Sequence, residues 1–305
     1  MGLSQAYGSA DDDASVAAIR AAIDAGVTLL DTAMSYGGGH NERLVGRAVA
    51  GRRDEVVLAT KFGIVRGDDG VRLDAHPSRV RGYCEGSLRR LGVDVIDLYY
   101  LHRVDPAVPV AETVGAMASL VGEGKVRHLG LSEVSPEQLA QAAAVHPIAA
   151  VEFEWSLSWR EPEDDVVPAA RAAGAGLVPY SPLGRGLLTG KLPEGPFGAG
   201  DFRAADARFA GAALDRNLTL VGELTRIASR LGVTTGQLAL AWLLARGPDV
   251  VPIPGTRNRS RVVENAGAAG IVLSAGDLAA LEAAAPRAAW SGDRRSFAAH
   301  GTTRS

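Results

Sequence analysis

The 305-residue sequence contains a single cysteine (Cys84), only 5% aromatic residues and no long apolar run. One cysteine excludes an internal disulfide and indicates a reducing compartment. No apolar stretch reaches the ~18 residues of a membrane-spanning helix. The first residues, MGLSQAYG, have neither the charged nor the apolar region of a secretory signal. We therefore expect a cytoplasmic protein that does not bind a membrane.

Basic runs and metal-ligand patterns are also missing. With 32 basic and 35 acidic residues the net charge is −3, and no Lys/Arg-rich run offers a surface for nucleic acid. The histidines show no metal-ligand spacing, so we expect no metal. Cys84 falls at helical spacing with Val80, Leu88 and Leu91, which favours a core position over a reactive thiol.

What is present is an alternation of short apolar runs with amphipathic segments. The runs are typical of parallel strands covered on both faces: VTLLD (27–31), EVVLATK (55–61), DVIDLYYLH (94–102), KVRHLGLS (125–132), IAAVEFEW (148–155), GLVPYS (176–181) and DVVPIPGT (249–256). Between them, capped amphipathic segments such as 12–26 and 135–147 predict helices. Strand and helix alternate without a hairpin signal between them, which indicates parallel βαβ units.

Seven such strands favour an α/β fold of the (β/α)8 TIM barrel type over a doubly wound sheet. The doubly wound fold is the less favoured alternative because no G-x-G-x-x-G turn follows an early strand. One strand of eight is missing, and only residues 1–8 stand where it should lie. We therefore expect a single domain over residues 1–305 whose barrel lacks most of its first strand.

Two segments lie outside this alternation. Residues 181–215 are rich in glycine and proline and form the longest irregular stretch. Because long structureless segments in compact domains are usually functional, we predict a lid or binding loop there, with a disordered surface insertion as the alternative. The C-terminal tail, residues 286–305, could reach across the site and end in a frayed terminus.

Three consecutive predicted strands end on ionisable residues. These are Asp31, Lys61 and His102, and Tyr36 follows in the loop after the first. In a parallel barrel the catalytic groups lie at the carboxyl ends of the strands, so these four side chains are predicted to meet.

These four residues suit a tyrosine acid whose pKa is changed by its charged neighbours. A free tyrosine, with a pKa of about 10, is a reluctant acid at neutral pH, and a neighbouring ammonium lowers that pKa by ~1–3 units. Lys61 would supply this charge, Asp31 would hold Lys61, and His102 would hydrogen-bond the oxygen that Tyr36 protonates. Such a site donates a proton to a developing alkoxide, which predicts carbonyl reduction or its reverse.

The segment VPIPGTRNRSRVVENAGA (251–268) predicts the phosphate site of a hydride-donating cofactor. A strand leads into Gly255 and Thr256, and three arginines, beginning with Arg257, follow at a predicted helix start. Backbone N–H groups, a hydroxyl and guanidinium groups can hold phosphates there. Several arginines favour a ribose phosphate beside the pyrophosphate, and hence NADPH over NADH. The alternative is a solvated basic helix.

These motifs resemble the aldo-keto reductase family over nearly the whole chain. The resemblance rests on LLDTAMSYGGGHNERLVGRAV, ATKFG, DLYYLHRVD, GKVRHLGLSE, EWSL, PYSPLGRGLLTGKL and VPIPGTRNRSRVVENAGA, which occur in this order. The forms HRVD, GLSE and SPLGRGLLTG look most like the bacterial, fungal and plant branch that includes pyridoxal and general aldehyde reductases. The resemblance implies an NADP-dependent reductase of small-molecule aldehydes or ketones, of the NADP-linked alcohol dehydrogenase type.

The resemblance also implies roles for individual residues. The catalytic tetrad would be Asp31, Tyr36, Lys61 and His102, with Tyr36 as the general acid. The residues at the nicotinamide would be Ser132, Glu133, Glu152 and Trp155. Those in the loop over the pyrophosphate would be Ser181, Leu183 and Gly186. Those at the adenosine phosphate would be Thr256, Arg257, Arg261, Glu264 and Asn265, after Gly255.

The sequence departs from the family pattern in several places. Many relatives have Asn, Gln and Tyr where this chain has Glu133, Glu152 and Trp155. Family members also begin with a hairpin and a complete first strand, which would precede Met1, so we expect a late start assignment or a truncated chain.

Other functions stay open at this point. An NADP(H)-binding redox sensor or regulatory subunit with little turnover would carry the same motifs. A Schiff-base aldolase with Lys61 as nucleophile is a third reading, against which the arginine-rich cofactor segment argues. We expect a monomer or a small homo-oligomer.

Overall fold

The computed structural model describes residues 1–8, 10–67, 70–193, 195, 197–198 and 200–294. Six parallel strands form the main sheet in the order β1-β2-β5-β6-β7-β8, and β3 and β4 form a separate hairpin. The strands are β1 (Leu29–Asp31), β2 (Val57–Phe62), β3 (Ile64–Gly67), β4 (Gly70–Leu73), β5 (Ile96–Leu101), β6 (Val126–Ser132), β7 (Ile148–Glu154) and β8 (Gly176–Tyr180). Six of the seven predicted strands are confirmed.

The seventh predicted strand is an extended segment rather than a regular strand in the structure. It runs beside β8, where Leu177 N–H donates to Asp249 O and Val251 N–H donates to Leu177 O, both at 2.8 Å. Ile253 N–H donates to Pro179 O at 3.0 Å. The pairing with β8 is parallel, so this segment continues the curved sheet beyond β8.

Helices surround the sheet, as the strand–helix alternation predicts. They are α1 (Asp12–Asp24), α2 (His40–Val49), α3 (Pro77–Leu91), α4 (Val110–Gly122), α5 (Pro136–Ala143), α6 (Val166–Ala172), α7 (Gly211–Arg230), α8 (Thr235–Leu244), α9 (Arg259–Gly267) and α10 (Ala275–Ala284). The predicted caps are present: Asp11 accepts from Ala14 N–H, and Ser135 and Gln138 form a capping box. Helix α1 packs against both α2 and α9, which joins the two ends of the helical layer.

The sheet has apolar side chains on both faces. The outer face packs under the helices in the large core, which includes Cys84, so the prediction of a core cysteine is confirmed. Burial raises the pKa of the Cys84 thiol to about 12. The inner face carries a smaller cluster made of Ala59, Leu98, Tyr100, Ala150 and Val178. These parallel strands, curled with helices around them, have the architecture of the predicted (β/α)8 barrel, while residues 2–8 form turns and bends instead of a first strand.

The connections differ from the sequence pattern in two places. The sequence pattern showed no hairpin, but β3 and β4 pair antiparallel from Ile64↔Leu73 to Gly67↔Gly70 directly after β2. Residues 181–215 are not structureless: the described part contains short 3-10 turns at Gly184–Thr189, Phe202–Ala205 and Ala207–Phe209, and α7 already begins at Gly211. No helix in the described ranges is long and apolar enough to cross a membrane.

Candidate active site

The four residues of the predicted tetrad lie at one end of the sheet. Asp31 is the last residue of β1, Lys61 lies near the end of β2, and His102 directly follows β5. Tyr36 lies in the turn after β1, where its N–H donates to Ala33 O at 3.1 Å. Because these strands are parallel neighbours, their carboxyl ends deliver the side chains to one rim.

Lys61 is fully buried and is held by groups from two other strands. Its ammonium donates to Asp31 Oδ1 and, at 3.0 Å, to Thr32 O. Glu152 Oε2 on β7 lies 3.2 Å from Lys61 Nζ. Burial alone would lower the pKa of Lys61, but Asp31 and Glu152 outweigh it and raise that pKa above its ordinary value. Lys61 is therefore a permanent cation inside the barrel.

Tyr36 lies beside this cation. Lys61 Nζ is 5.7 Å from the centroid of the Tyr36 ring. Lys61 lowers the pKa of Tyr36, as the sequence analysis expects, but burial acts more strongly in the opposite direction and raises that pKa to about 12. Burial therefore outweighs the lowering that the sequence predicts, and the phenol stays protonated at neutral pH.

His102 is buried against the Tyr36 ring and has lost its positive charge. The two rings meet edge to face with their centroids 5.8 Å apart. Burial, followed by the nearby Arg103 and Lys61 charges, lowers the pKa of His102 well below its ordinary value. Its Nδ1 atom is buried and has no hydrogen-bond partner among the residues that the structure describes. A neutral imidazole with an unused polar atom is suited to a hydrogen bond with a ligand.

Ser132 and Glu133, at the end of β6, already have partners within the chain. Arg103 donates to Ser132 Oγ at 3.0 Å. Glu133, in a left-handed conformation with φ of 56°, accepts from Tyr180 OH at 2.9 Å and forms an ion pair with Arg294. Burial would raise the pKa of Glu133, but Arg294 and Arg103 outweigh it and lower that pKa. Glu133 is therefore ionised.

Trp155 does not lie where the resemblance places it. Its side chain is only 1% exposed and belongs to the outer core, where it packs against Phe153 and Trp242. Its indole N–H donates to Glu163 at 2.9 Å. Because side chains alternate across a strand, Glu152 and Glu154 face inward and Trp155 faces outward. The predicted stacking of Trp155 on the nicotinamide is therefore wrong.

Tyr180 is the aromatic residue that the sequence analysis missed. It ends β8 and hydrogen-bonds Glu133, so its ring is at the same rim as the tetrad. The alternation of β8, in which Val178 joins the inner cluster, places Tyr180 on that inner face. This period-two pattern was readable from the sequence.

A buried cluster of charges beside this rim was also not predicted. Glu154 is 2.6 Å from Arg208, 3.4 Å from Arg185 and 3.9 Å from Arg294. Burial would raise the pKa of Glu154, but these three arginines outweigh it and lower that pKa to about 2. Asp206 pairs with Arg208 at 2.7 Å. The cluster ties β7 to the 181–215 segment and to the C-terminal tail.

The loop after β8 adopts the backbone conformations of a tight turn. Ser181 has a φ of 48° and Gly186 a φ of 97°. Ser181 O accepts from Gly184 N–H at 2.8 Å, and Leu183 O accepts from Gly186 N–H at 3.0 Å. The three predicted residues of this loop therefore lie together at the carboxyl end of β8.

The predicted phosphate residues surround the start of α9. Thr256 Oγ1 accepts from Asn258 N–H at 3.1 Å, and Asn258 caps the helix. Arg257 and Arg261 are exposed, and Arg257 donates to Tyr7 O at 2.7 Å.

Two further predicted residues lie along α9, and room remains beside Gly255. Glu264 accepts from Thr234 Oγ1 at 2.7 Å, and Asn265 follows on the same helix. A Cβ added at Gly255 would meet no atom within 4 Å. No cluster of metal ligands occurs in the part of the chain that the structure describes.

Comparisons with known proteins identify the family of this chain. The sequence model described as "Aldo/keto reductase family" matches residues 1–286. A probable aldo-keto reductase from Glycine max is 44% identical over 289 residues, covering 94% of this chain and 84% of the relative.

Solved structures give the same result. A glycerol dehydrogenase from Gluconobacter oxydans is 34% identical with a TM-score of 0.86, over 92% of this chain and 88% of the other. An aldo/keto reductase from Klebsiella pneumoniae, in complex with NADP and acetate, is 33% identical with a TM-score of 0.72. The match covers 90% of this chain and 86% of the other. With a strand-end tetrad, a matching family model and relatives of this identity, the chain belongs to the aldo/keto reductase family.

Proposed function

We propose that the protein is an NADPH-dependent reductase of aldehyde or ketone carbonyls, of the NADP-linked alcohol dehydrogenase type, with Tyr36 as the general acid. The observation that carries this proposal is the convergence of Asp31, Lys61, Tyr36 and His102 at one rim. The similarity to reductases from Klebsiella pneumoniae that are in complex with NADP or NADPH supports the choice of cofactor.

The residues present fit such a cofactor. Exposed guanidinium groups at the start of α9 and the Thr256 hydroxyl match the needs of phosphate groups. Ser132, Glu133 and Glu152 would hold the carboxamide at the other end, and Tyr180 offers an aromatic ring beside Glu133. When bound, NADPH supplies the hydride.

Tyr36 would deliver the proton. Its raised pKa keeps the hydroxyl protonated at neutral pH, and an alkoxide is far more basic than a phenolate, so proton transfer to the carbonyl oxygen is favourable as charge develops there. The neutral His102 would donate a hydrogen bond to the same oxygen and orient it.

Lys61 would stabilise the phenolate that Tyr36 leaves behind. The ammonium cannot turn away, because Asp31 Oδ1 and Thr32 O accept two of its hydrogen bonds. In the reverse direction the same charge favours the phenolate that removes a proton from an alcohol. Asp31 therefore acts through Lys61 and not on the substrate.

The test is to titrate NADPH and then NADH into the protein, following cofactor fluorescence, and to assay NADPH oxidation with a panel of small aldehydes and ketones. Tighter binding of NADPH than NADH, with turnover of at least one carbonyl, supports the proposal. NADPH binding without turnover across the panel would favour a redox-sensing or regulatory subunit. No cofactor binding by a well-folded chain would overturn the reductase assignment.

A further inference from the structure

Lys61 has two carboxylate neighbours. Asp31, from the adjacent strand β1, accepts its hydrogen bond, and Glu152 Oε2 lies 3.2 Å from Nζ. Strand β7, which carries Glu152, is separated from β2 by two strands, so this second contact crosses the barrel interior. The side chains of Lys61 and Glu152 are 0% and 4% exposed, which shields the contact from solvent.

One buried ammonium cannot fully compensate two buried carboxylates. Lys61 shares its closest contact with Asp31, so the second acid gains less from the positive charge and also feels the negative charge of Asp31. Burial and Asp31 together raise the pKa of Glu152 to about 8, against the opposing effect of Lys61. Glu152 therefore changes its charge within the range in which enzymes are assayed.

We propose that Glu152 is a positioning residue that controls how strongly Lys61 acts on the Tyr36 phenol. With Glu152 neutral, the Lys61 charge is balanced only by Asp31 and still acts on Tyr36. With Glu152 ionised, a second negative charge offsets the ammonium and makes the phenol a weaker acid. This inference rests on the proposed function, since it concerns Tyr36 as a proton donor.

The neighbours of Glu152 whose pKa is shifted do not titrate between pH 7 and 9. The groups that interact with it are Asp31, Lys61, Tyr36, Tyr100, Arg103 and the amino group of Met1. Burial lowers the pKa of the Met1 amino group to about 6, while burial raises the pKa of Tyr36 to about 12 and that of Tyr100 well above its ordinary value. A change in kcat near pH 8 that disappears in Glu152→Gln would therefore be assigned to Glu152.

The sign of the effect follows from these charges. As pH rises through about 8, Glu152 ionises, and its negative charge contributes to the raised pKa of Tyr36. Carbonyl reduction should slow across this range. A one-unit rise in the pKa of Tyr36 changes the rate by about tenfold at most, since only part of the proton has moved in the transition state.

The first experiment compares wild type, Glu152→Gln and a matched control, Glu112→Gln, at an exposed position on α4. We would measure kcat and KM for carbonyl reduction from pH 6 to 10, with the NADPH dissociation constant at each pH. The proposal expects a fall in kcat near pH 8 in wild type and in the control, and no such fall in Glu152→Gln. If Glu152→Gln changes only NADPH affinity and keeps the wild-type pH profile, Glu152 is a cofactor contact alone and the proposal is overturned.

A second measurement does not depend on turnover. Protein labelled with ¹³C at the glutamate carboxyl groups would be titrated by NMR, with Glu152→Gln used to assign the signal. A carboxyl that titrates near pH 8 supports a buried Glu152 that shares the Lys61 ammonium with Asp31, and one that titrates at the ordinary value of about 4.3 overturns the proposal. A wild type that shows this titration but reduces no carbonyl would contradict the proposed function and not the Lys61–Glu152 coupling.

Discussion

The rings of Tyr36 and His102 meet edge to face, with centroids 5.8 Å apart and planes inclined by 82°. One ring comes from the turn after β1 and the other from the residue that follows β5, so the pair converges on one point at the rim. At this point a protonated phenol and a neutral imidazole can both hydrogen-bond one oxygen atom. This convergence leads to the first two predictions.

Replacing Tyr36 with Phe removes the hydroxyl and keeps the ring against His102. We expect kcat for carbonyl reduction to fall by about 10²–10⁴-fold, the usual contribution of a positioned general acid, while NADPH binds as in wild type. Steady-state kinetics and a fluorescence titration measure the two quantities.

A matched control for this variant is Tyr83→Phe. Tyr83 lies on α3 and donates to Asp74 at 2.7 Å, so the change removes another hydroxyl while the tetrad stays intact. A Tyr36→Phe enzyme with the wild-type rate would exclude Tyr36 as the acid.

The neutral state of His102 predicts a loss of stability at acid pH. Its pKa is well below the ordinary value in the fold and about 6.5 in the unfolded chain, so the unfolded state binds the proton more readily. The free energy of unfolding should therefore decrease as pH falls below ~6.5. His102→Asn should flatten this part of the pH profile of the melting temperature, whereas His128→Asn, at an exposed position on β6, should not. Equal slopes in all three proteins would show that His102 titrates normally.

The tetrad could be predicted from the sequence because each strand end is a local feature. Asp31, Lys61 and His102 each close a short apolar run, and parallel strands bring such ends together. The outward position of Trp155 could have been predicted from the sequence. Glu152 and Glu154 point to one face of β7, so the residue after them must point to the other. The hairpin after β2 also had a signal, because a glycine ends β3 and another begins β4, at Gly67 and Gly70.

Other features depend on contacts that no local pattern encodes. Arg294 and Glu133 are 161 positions apart in the chain and meet only because the tail returns to the rim. The balance between burial and Lys61 at Tyr36 is likewise a property of the assembled barrel. The sequence named the opposing charge correctly, but the extent of burial, which decides the direction of the shift, follows from packing alone.

The arginines at the start of α9 predict the preference between the two nicotinamide cofactors. Replacing both Arg257 and Arg261 with Ala should weaken NADPH binding by about 10–100-fold for each charge-assisted hydrogen bond that is lost. NADH, which has no ribose phosphate, should bind nearly as in wild type. Replacing both Arg226 and Arg230, at exposed positions on α7, with Ala is the charge-matched control. An equal loss for both cofactors would mean that the arginines contact the shared pyrophosphate.

The last prediction concerns the tail, which is fixed to the rim by several contacts. Asn217 on α7 donates to Ser291 O at 2.8 Å and accepts from Ser291 N–H at 2.9 Å. Gly292 has a φ of 86°, and a Cβ there would lie 2.6 Å from Arg208 N. Arg294 then reaches Glu133, so the chain has little freedom before this ion pair.

Replacing Arg294 with Ala removes the ion-pair partner of buried Glu133, while Tyr180 still donates to it and Arg103 still offsets part of its charge. Removing one partner of a buried ion pair costs about 3–5 kcal/mol, and denaturant unfolding at pH 7 would measure this loss. Glu133→Gln in the same background should recover part of it, because the buried negative charge is then gone, and a double-mutant cycle isolates the pair. Additive effects of the two substitutions would show that Arg294 stabilises the fold through Glu154 or through packing instead.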